Sequence, residues 1–195
     1  LRPFLGSLAR YGILAVTIVA VLSQFGVETT SIIAVLGAAG LAIGLALQGT
    51  LQNIAAGVLL LFLRPFKVGD FIDAGGVSGT VNSIGLFTSE MTTFDGIYLC
   101  VPNGQLWNTA ITNFSRNTTR RLDIVIGIGY GDDIDQGLAI LLALMTEDPR
   151  TLDDPEPQTM VTALGASSID INMRCWIESG DFWSLQFDLH KAAKE

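Results

Sequence analysis

The sequence predicts a membrane protein in which transmembrane helices precede a small all-β domain and an α+β domain, and in which copies of the chain form a ring. Three observations lead to this fold class. Of the 30 charged residues among 195, only three lie in the first 63 positions. Small residues in this apolar part recur every four positions. The charged part changes from short β-rich runs to alternating strands and helices.

The first predicted element is a transmembrane helix over 1–27. Tyr11 to Val27 is an uncharged run of 17 residues, near the lower limit for a membrane span. Arg10 can extend the helix by reaching toward the interface with its long side chain. Gln24, Gly26 and Glu28 are expected to end the span.

The second element, 28–63, is too long for one straight span. Thr29 to Leu63 is an uncharged run of 35 residues, which would make a helix about 50 Å long against a hydrocarbon core of roughly 30 Å. Because polar residues interrupt the run around Gly49, we expect a break there. This gives a spanning helix over 31–48 and an interfacial helix over 50–63.

The spanning helix has its small and large residues sorted into rows. At about 100° per residue, Leu41 and Leu45 share one face, glycines lie on one flank and alanines on the other. The leucine row is Gly37, Leu41 and Leu45; the glycine row is Gly40, Gly44 and Gln48; the alanine row is Ala34, Ala38, Ala42 and Ala46. Unlike flanks can pack between copies, and such a heterologous contact closes into a ring. The leucines would then face the axis as a narrow apolar constriction, which can block ions by dewetting.

The charged part divides into two predicted domains, at 64–116 and 117–195. The first is expected to be a small β barrel or roll of the Sm or SH3-like kind. Its strands are predicted at Asp70–Asp73, Val77–Ile84, Leu86–Thr93, Ile97–Val101 and Ala110–Phe114, with turns at Gly75-Gly76, Asp95-Gly96 and Asn103-Gly104. The second is expected to alternate strands Leu122–Ile128, Met160–Leu164 and Ile169–Ile177 with a helix over Asp133–Glu147 and a last helix that is truncated at Glu195.

Charge predicts orientation and excludes several functions. Basic residues precede the first span and follow the second, whereas Glu28 lies in the connecting turn, so the charged domains are expected in the cytoplasm. These domains carry a net charge of −9, which opposes binding to nucleic acid. A single histidine, two distant cysteines and the absence of a glycine-rich phosphate loop argue against an enzyme, a metal site or a cofactor. For the basic group Arg116, Arg120 and Arg121, lipid headgroups, acidic neighbours and a solute portal remain alternatives.

An ordered set of motifs resembles the small-conductance mechanosensitive channel (MscS) family over nearly the whole chain. The motifs are Ile33–Gly49, Asn53-Ile-Ala-Ala-Gly57, Arg64-Pro-Phe66, Val68-Gly-Asp70, Gly75-Gly-Val77, Val101-Pro-Asn-Gly104, Asn113-Phe-Ser115 and Leu164-Gly-Ala-Ser-Ser168.

The resemblance implies a tension-gated ion channel in the inner membrane. It implies a sevenfold ring of identical subunits, a hydrophobic gate at Leu41 and Leu45, and weak points at Gly49 and Gly57. It also implies a tension-sensing first helix and a cytoplasmic vestibule with side portals, through which ions and small solutes leave on hypo-osmotic shock. Membrane lipids and other copies of the chain are the expected partners.

Two further expectations come from the residues themselves. Asn53 is a polar side chain on the interfacial helix and needs a partner, for which the Asn103-Gly104 turn is the candidate. The alternative to a channel is a membrane-anchored scaffold without conductance, whose β domain binds other proteins.

Overall fold

The computed structural model describes residues 2–195, with side chains from position 6 onward except that of Leu8. Leu1 of the predicted first domain lies outside the described residues. The helices are α1 (Arg2–Gln24), α2 (Thr30–Ala46), α3 (Gln48–Leu63), α4 (Asn103–Trp107), α5 (Ile134–Glu147) and α6 (Phe182–Ala192). The strands are β1 (Phe71–Ala74), β2 (Val77–Ile84), β3 (Thr88–Thr92), β4 (Tyr98–Pro102), β5 (Ile111–Asn113), β6 (Thr119–Ile128), β7 (Gln158–Leu164) and β8 (Ile169–Glu178).

The three N-terminal helices are apolar and leave most of their surface uncovered. Within residues 2–195, no single helix is both long and apolar enough to cross a membrane, but α2 and α3 meet that requirement together across a bend of 57°. The apolar stretch of α1 is the shorter segment Ala9–Gln24.

The break between α2 and α3 lies at Leu47, two residues before the break expected at Gly49. Leu47 has φ −91° and ψ −1°, whereas a regular helix has ψ near about −42°. Its N–H still bonds to the Ile43 carbonyl, so the bend comes from rotation at one residue while α2 stays intact up to that point. Gln48, which was expected to end the spanning helix, instead begins α3.

The β domain is a five-stranded antiparallel sheet in the order β4-β3-β2-β1-β5. Its strands lie within two residues of the predicted ones. The core includes Ile72, Val81 and Met91 from the sheet, and Leu60 of α3 and Leu106 of α4 pack into the same cluster. The end of the apolar helix α3 is therefore part of the β-domain core.

The segment Asn103–Trp107, expected to start with a turn, is a short helix. Pro102 precedes it with extended backbone, and the Asn103 N–H donates to the Phe87 carbonyl at 2.9 Å. Leu106, three residues on, is completely buried, so packing into the core favours helical geometry over an open turn.

The α/β domain is a three-stranded antiparallel sheet, in the order β6-β8-β7, that packs against α5 and α6. The last helix ends at Ala192, which corrects the expectation of a helix continuing through Glu195. The Lys194 N–H reaches back only three residues, to the Lys191 carbonyl, so the chain leaves α-helical geometry in a tightened last turn.

Helix α5 begins with a capping aspartate that allows a stability prediction. The carboxylate of Asp133 accepts hydrogen bonds from the N–H groups of Asp135 and Gln136 at 2.9 and 3.1 Å. We expect Asp133→Ala to lower the free energy of unfolding by about 1 kcal/mol, because two N–H groups lose their partner. Thermal melts followed by circular dichroism check this. Asp153→Ala, an exposed loop change of equal charge, is the control, and equal melting temperatures would contradict the prediction.

Candidate functional site

Helix α2 is exposed along its whole length, although it is among the most apolar segments of the chain. Leu41 and Leu45 are 66% and 62% exposed, and no residue of α2 is buried. A helix that is apolar on all sides is stable only when lipid or other protein surrounds it. The whole surface of α2 is therefore available for packing against lipid or other helices.

The regular helix from Thr30 to Ala46 places the small residues in the rows that the sequence predicts, up to the bend. Gly40 and Gly44 face open space, with no atom within 4 Å of a Cβ placed there. Gly37 is similarly open and lines a groove between α1 and the N-terminal half of α2. Gln48 lies beyond the bend, so the glycine row does not continue straight to it.

Asn53 joins α3 to the β domain. Its Oδ1 accepts a hydrogen bond from the Gly104 N–H at 2.8 Å, and its Nδ2 donates to the Gly49 carbonyl at 2.9 Å. One side chain therefore connects the first turn of α3, next to the bend, with the start of α4. The structure thus brings Asn53 and Gly104 together.

Asn103 holds the β-domain side of this contact in place. Its side chain is completely buried. The Oδ1 atom accepts from the Ser89 hydroxyl at 2.8 Å, and Nδ2 donates to the Gly85 carbonyl at 2.9 Å. Because both ends of the amide are bonded and the backbone N–H bonds to Phe87, the position of α4 is fixed relative to β3 and the loop before it.

Gly57 lies in the middle of α3, against the loop that precedes β3. A Cβ at this position would lie 2.6 Å from the Leu86 carbonyl oxygen and 2.5 Å from Asn103 Nδ2. Gly57 therefore permits close approach of two backbones. Gly49, in contrast, has no atom within 4 Å of an added Cβ.

The sequence-predicted residues fall into two groups. Asn53, Gly57, Asn103 and Gly104 meet at the contact between α3 and the β domain, whereas the residues of α2 have no such contact. Sequence reasoning missed Ser89, Gly85 and Leu86, which complete the contact. The alternation of β3 places Ser89 on the same inward face as Met91, and an inward polar side chain signals a buried partner.

Across the described part of the chain, no three His, Cys, Asp or Glu side chains come together in a way that could hold a metal ion.

Three family models match consecutive parts of the chain. Residues 7–48 match "Mechanosensitive ion channel, transmembrane helices 2/3", residues 49–116 match "Mechanosensitive ion channel, beta-domain", and residues 122–195 match "Mechanosensitive ion channel MscS, C-terminal". The first boundary falls at the start of α3, and the second lies between the β domain and the α/β domain.

Similar proteins come from several bacteria. The small-conductance mechanosensitive channel of Edwardsiella ictaluri is 48% identical over 186 residues, which are 95% of this chain and 65% of the relative. An uncharacterised MscS family protein of Buchnera aphidicola subsp. Baizongia pistaciae is 42% identical. The match covers 97% of this chain and 69% of the relative. This chain thus spans slightly under two thirds of the Edwardsiella protein.

Solved structures share the fold. The crystal structure of Helicobacter pylori MscS in its closed state superposes with a TM-score of 0.87 at 32% identity, covering 98% of this chain and 76% of the other. Arabidopsis thaliana MSL1, solved by cryo-EM, gives a TM-score of 0.81 at 26% identity, covering 97% and 71%. The order of apolar helices followed by two β-containing domains is therefore shared with these proteins.

Proposed function

Because this chain belongs to the MscS family of mechanosensitive channels, we propose that its copies form a ring around a pore lined by α2, and that membrane tension opens this pore. The observation that carries the proposal is the uncovered apolar helix α2, with Leu41 and Leu45 on one face between small-residue flanks. Lipid alone would cover such a helix, but it would not require its leucines, glycines and alanines to be sorted onto separate faces.

The leucine face is the proposed gate. In a ring, Leu41 and Leu45 form two apolar layers one helical turn apart, about 6 Å along the axis. A narrow apolar passage of that length loses its water and blocks ions without a plug. Gly40 and Gly44 on one flank and Ala38, Ala42 and Ala46 on the other allow neighbouring helices to approach closely, and Gly37 continues the leucine row one turn before Leu41.

Tension favours whichever state has the larger area in the plane of the membrane. In the closed state the glycine and alanine flanks nest tightly. Tilting and sliding of α2 along these flanks widens the ring and moves the leucines off the axis. The first helix, which we place in contact with lipid, is the proposed sensor of this tension.

The bend between α2 and α3 is the proposed site of motion, because α3 is held by the β domain while α2 is not. Gly49 lies just after the bend and has room around it, which suits a hinge. Gly57 was predicted as a second hinge. We propose that it acts by letting α3 slide or separate from the loop at Gly85 and Leu86.

The cellular setting follows from charge and from the family. We propose a heptamer in the inner membrane, with the β and α/β domains in the cytoplasm, that releases ions and small osmolytes on hypo-osmotic shock. The acidic character of these domains would concentrate cations in a vestibule below the pore.

Patch recording tests the proposal. The purified chain is reconstituted into liposomes, and suction is applied to excised patches. We expect brief current steps whose frequency rises with suction and which are absent from protein-free liposomes. Patches that contain the protein but stay silent up to lytic tension would contradict the channel and favour the scaffold.

Asn53 provides a test of the coupling between α3 and the β domain. Asn53→Ala removes the acceptor of the Gly104 N–H and the donor to the Gly49 carbonyl, at a cost of about 1–3 kcal/mol for the unpaired N–H. We expect the open channel to close or desensitise at a rate changed by several-fold, with unchanged conductance. Kinetics under a steady pressure step measure this.

The matched control is Gln52→Ala, a neighbouring amide on α3 for which the structure shows no side-chain hydrogen bond among the described residues. Identical kinetics in Asn53→Ala, Gln52→Ala and wild type would show that the contact plays no part in gating.

A further inference from the structure

Three basic side chains meet where α3 joins the β domain: Arg64, Lys67 and Arg116. We call them the junction cluster. All three are exposed, and none has a carboxylate oxygen within 4.0 Å in the region that the structure describes. The neighbouring arginines of the sequence cluster are differently placed, because Arg121 pairs with Asp123 and Arg120 lies over the ring of Phe182 at 3.9 Å. The sequence cluster therefore splits, and only Arg116 joins the junction cluster.

Hydrogen bonds to backbone carbonyls position the two arginines of the cluster without neutralising their charge. Arg116 Nη1 donates to the carbonyls of Arg64 and Pro65 at 3.4 and 3.2 Å, and Arg64 Nε donates to the Leu61 carbonyl at 3.2 Å. A guanidinium has five N–H donors, so both arginines keep several for a ligand. Lys67 is bonded only through its backbone, whose N–H donates to the Asp70 carboxylate and whose carbonyl accepts from the Asp70 N–H, and its ammonium group has no partner among the described residues.

Two cavities with different linings meet at the cluster. A polar one of about 180 Å³ is lined by Arg64, Lys67 and Arg116 together with Ser115 and Asp70. The Asp70 carboxylate is the one negative charge there, and it already accepts bonds from the Lys67 N–H at 2.9 Å and from Asn113 Nδ2 at 2.7 Å. The cations therefore outnumber it by three to one.

The second cavity, of about 330 Å³, is mostly apolar. Leu60, Leu61, Val68 and Ile84 contribute its apolar lining, and Arg64 and Lys67 line it as well as the polar cavity. A ligand that fills both must carry a negative head and a hydrocarbon tail. Free phosphate would satisfy only the polar half.

We propose that the junction cluster binds the phosphate of an anionic phospholipid, with the start of an acyl chain in the apolar cavity. The proposal rests on the proposed function in one respect, that α3 ends at the membrane interface. Charge complementarity supports this occupant, since three unpaired cations stand out in domains of net charge −9. Exposed apolar side chains beside the cluster also favour a lipid as the occupant, because they can contact acyl chains. Phe62 is 82% exposed, and Leu63 and Val68 are 57% and 61% exposed.

Lipid retention by the detergent-solubilised full chain tests the proposal. The protein is mixed with phosphatidylglycerol or phosphatidylcholine of identical acyl chains, and bound lipids are counted by native mass spectrometry. We expect preferential retention of phosphatidylglycerol. Lys67→Gln should weaken it about fivefold, the usual effect of one basic residue near a lipid phosphate, and Lys67→Arg should restore it. Lys194→Gln, the same charge change on an exposed residue of the far domain, should leave retention unchanged.

Three results would overturn the proposal. Equal retention of the two lipids would show that the site does not distinguish an anionic headgroup from a zwitterionic one. Equal loss in Lys67→Gln and Lys194→Gln would show a general charge effect. Displacement of phosphatidylglycerol by millimolar inorganic phosphate would identify a site for the free anion. Binding is measured without tension or current, so a silent patch would refute the channel and leave this result standing.

Discussion

Leu41→Ser is expected to give a channel that leaks at rest and opens at lower tension than wild type. In the proposed ring, each leucine that leaves water on closing stabilises the closed state by about 1.5–3 kcal/mol, and this contribution is repeated in every copy. Over a ring of several copies, these contributions to the stability of the closed state add up to on the order of 10 kcal/mol. Leu41→Ser is therefore the substitution with the largest expected effect. A ring of hydroxyls would also hold water in the constriction and end the dewetted block. Pressure at half-maximal open probability and current at zero suction measure both effects.

Ile43→Ser is the matched control for the gate. It replaces a side chain of similar size and exposure on the same helix, 60% against 66% exposed, but on the face turned away from Leu41. We expect Ile43→Ser to gate at nearly the wild-type pressure without leak. If both serine variants shift the opening pressure equally, or neither does, the leucine face is not the gate.

Gly57→Ala is expected to destabilise the protein by separating α3 from the β domain. The new methyl group would lie 2.6 Å from the Leu86 carbonyl oxygen and 2.5 Å from Asn103 Nδ2. Neither atom can move freely, because one is backbone and the other is bonded to the Gly85 carbonyl. Overpacking of this kind costs about 1–3 kcal/mol, equivalent to a fall of about 2–4 °C in melting temperature per kcal/mol for a chain of this size.

Gly49→Ala is the control for Gly57→Ala. The two glycines lie on the same helix, yet an added Cβ at Gly49 has no neighbour within 4 Å. Alanine there should keep or raise the melting temperature, because it favours helix by about 1 kcal/mol over glycine. In patches, both variants should alter closing kinetics if both positions take part in the motion. A Gly57→Ala protein that melts at or above the temperature of Gly49→Ala would disprove the close-packing role.

The strands and α5 could be predicted from sequence because their signals are local. Alternating Val, Ile and Thr between glycine turns predicts strands within three residues of those in the structure, the largest difference being the start of β6 at Thr119 instead of Leu122, and Asp133 marks the start of α5. The bend was predicted from a length that exceeds the membrane thickness, which requires a break but does not locate it. The polar residues drew the expected break to Gly49, whereas the backbone rotates at Leu47.

The contact between α3 and the β domain was only partly predictable. Because Asn53 needs a partner, the sequence identified Asn103 and Gly104 as candidates. In the structure the Gly104 N–H donates to Asn53, whereas the side chain of Asn103 lies beside Gly57. Ser89 and Leu86 could not be assigned to the contact, because Ser89 meets Asn103 across 14 residues and Leu86 meets Gly57 from a different domain, through tertiary packing that no local pattern shows. The same reason separates Arg116 from Arg120 and Arg121, which are close in sequence but bind different partners.

Accessibility of a cysteine at Leu41 tests the gate most directly. The exposed Cys100 is first replaced by serine, and Cys175 can remain because it is buried and burial raises the pKa of its thiol. A charged methanethiosulfonate reagent is then applied to Leu41→Cys channels in liposome patches with and without suction. We predict a changed conductance only when reagent and suction coincide, and none at Ile43→Cys. Modification that proceeds equally fast without suction, or leaves the conductance unaltered, would contradict a gate formed by Leu41 and Leu45.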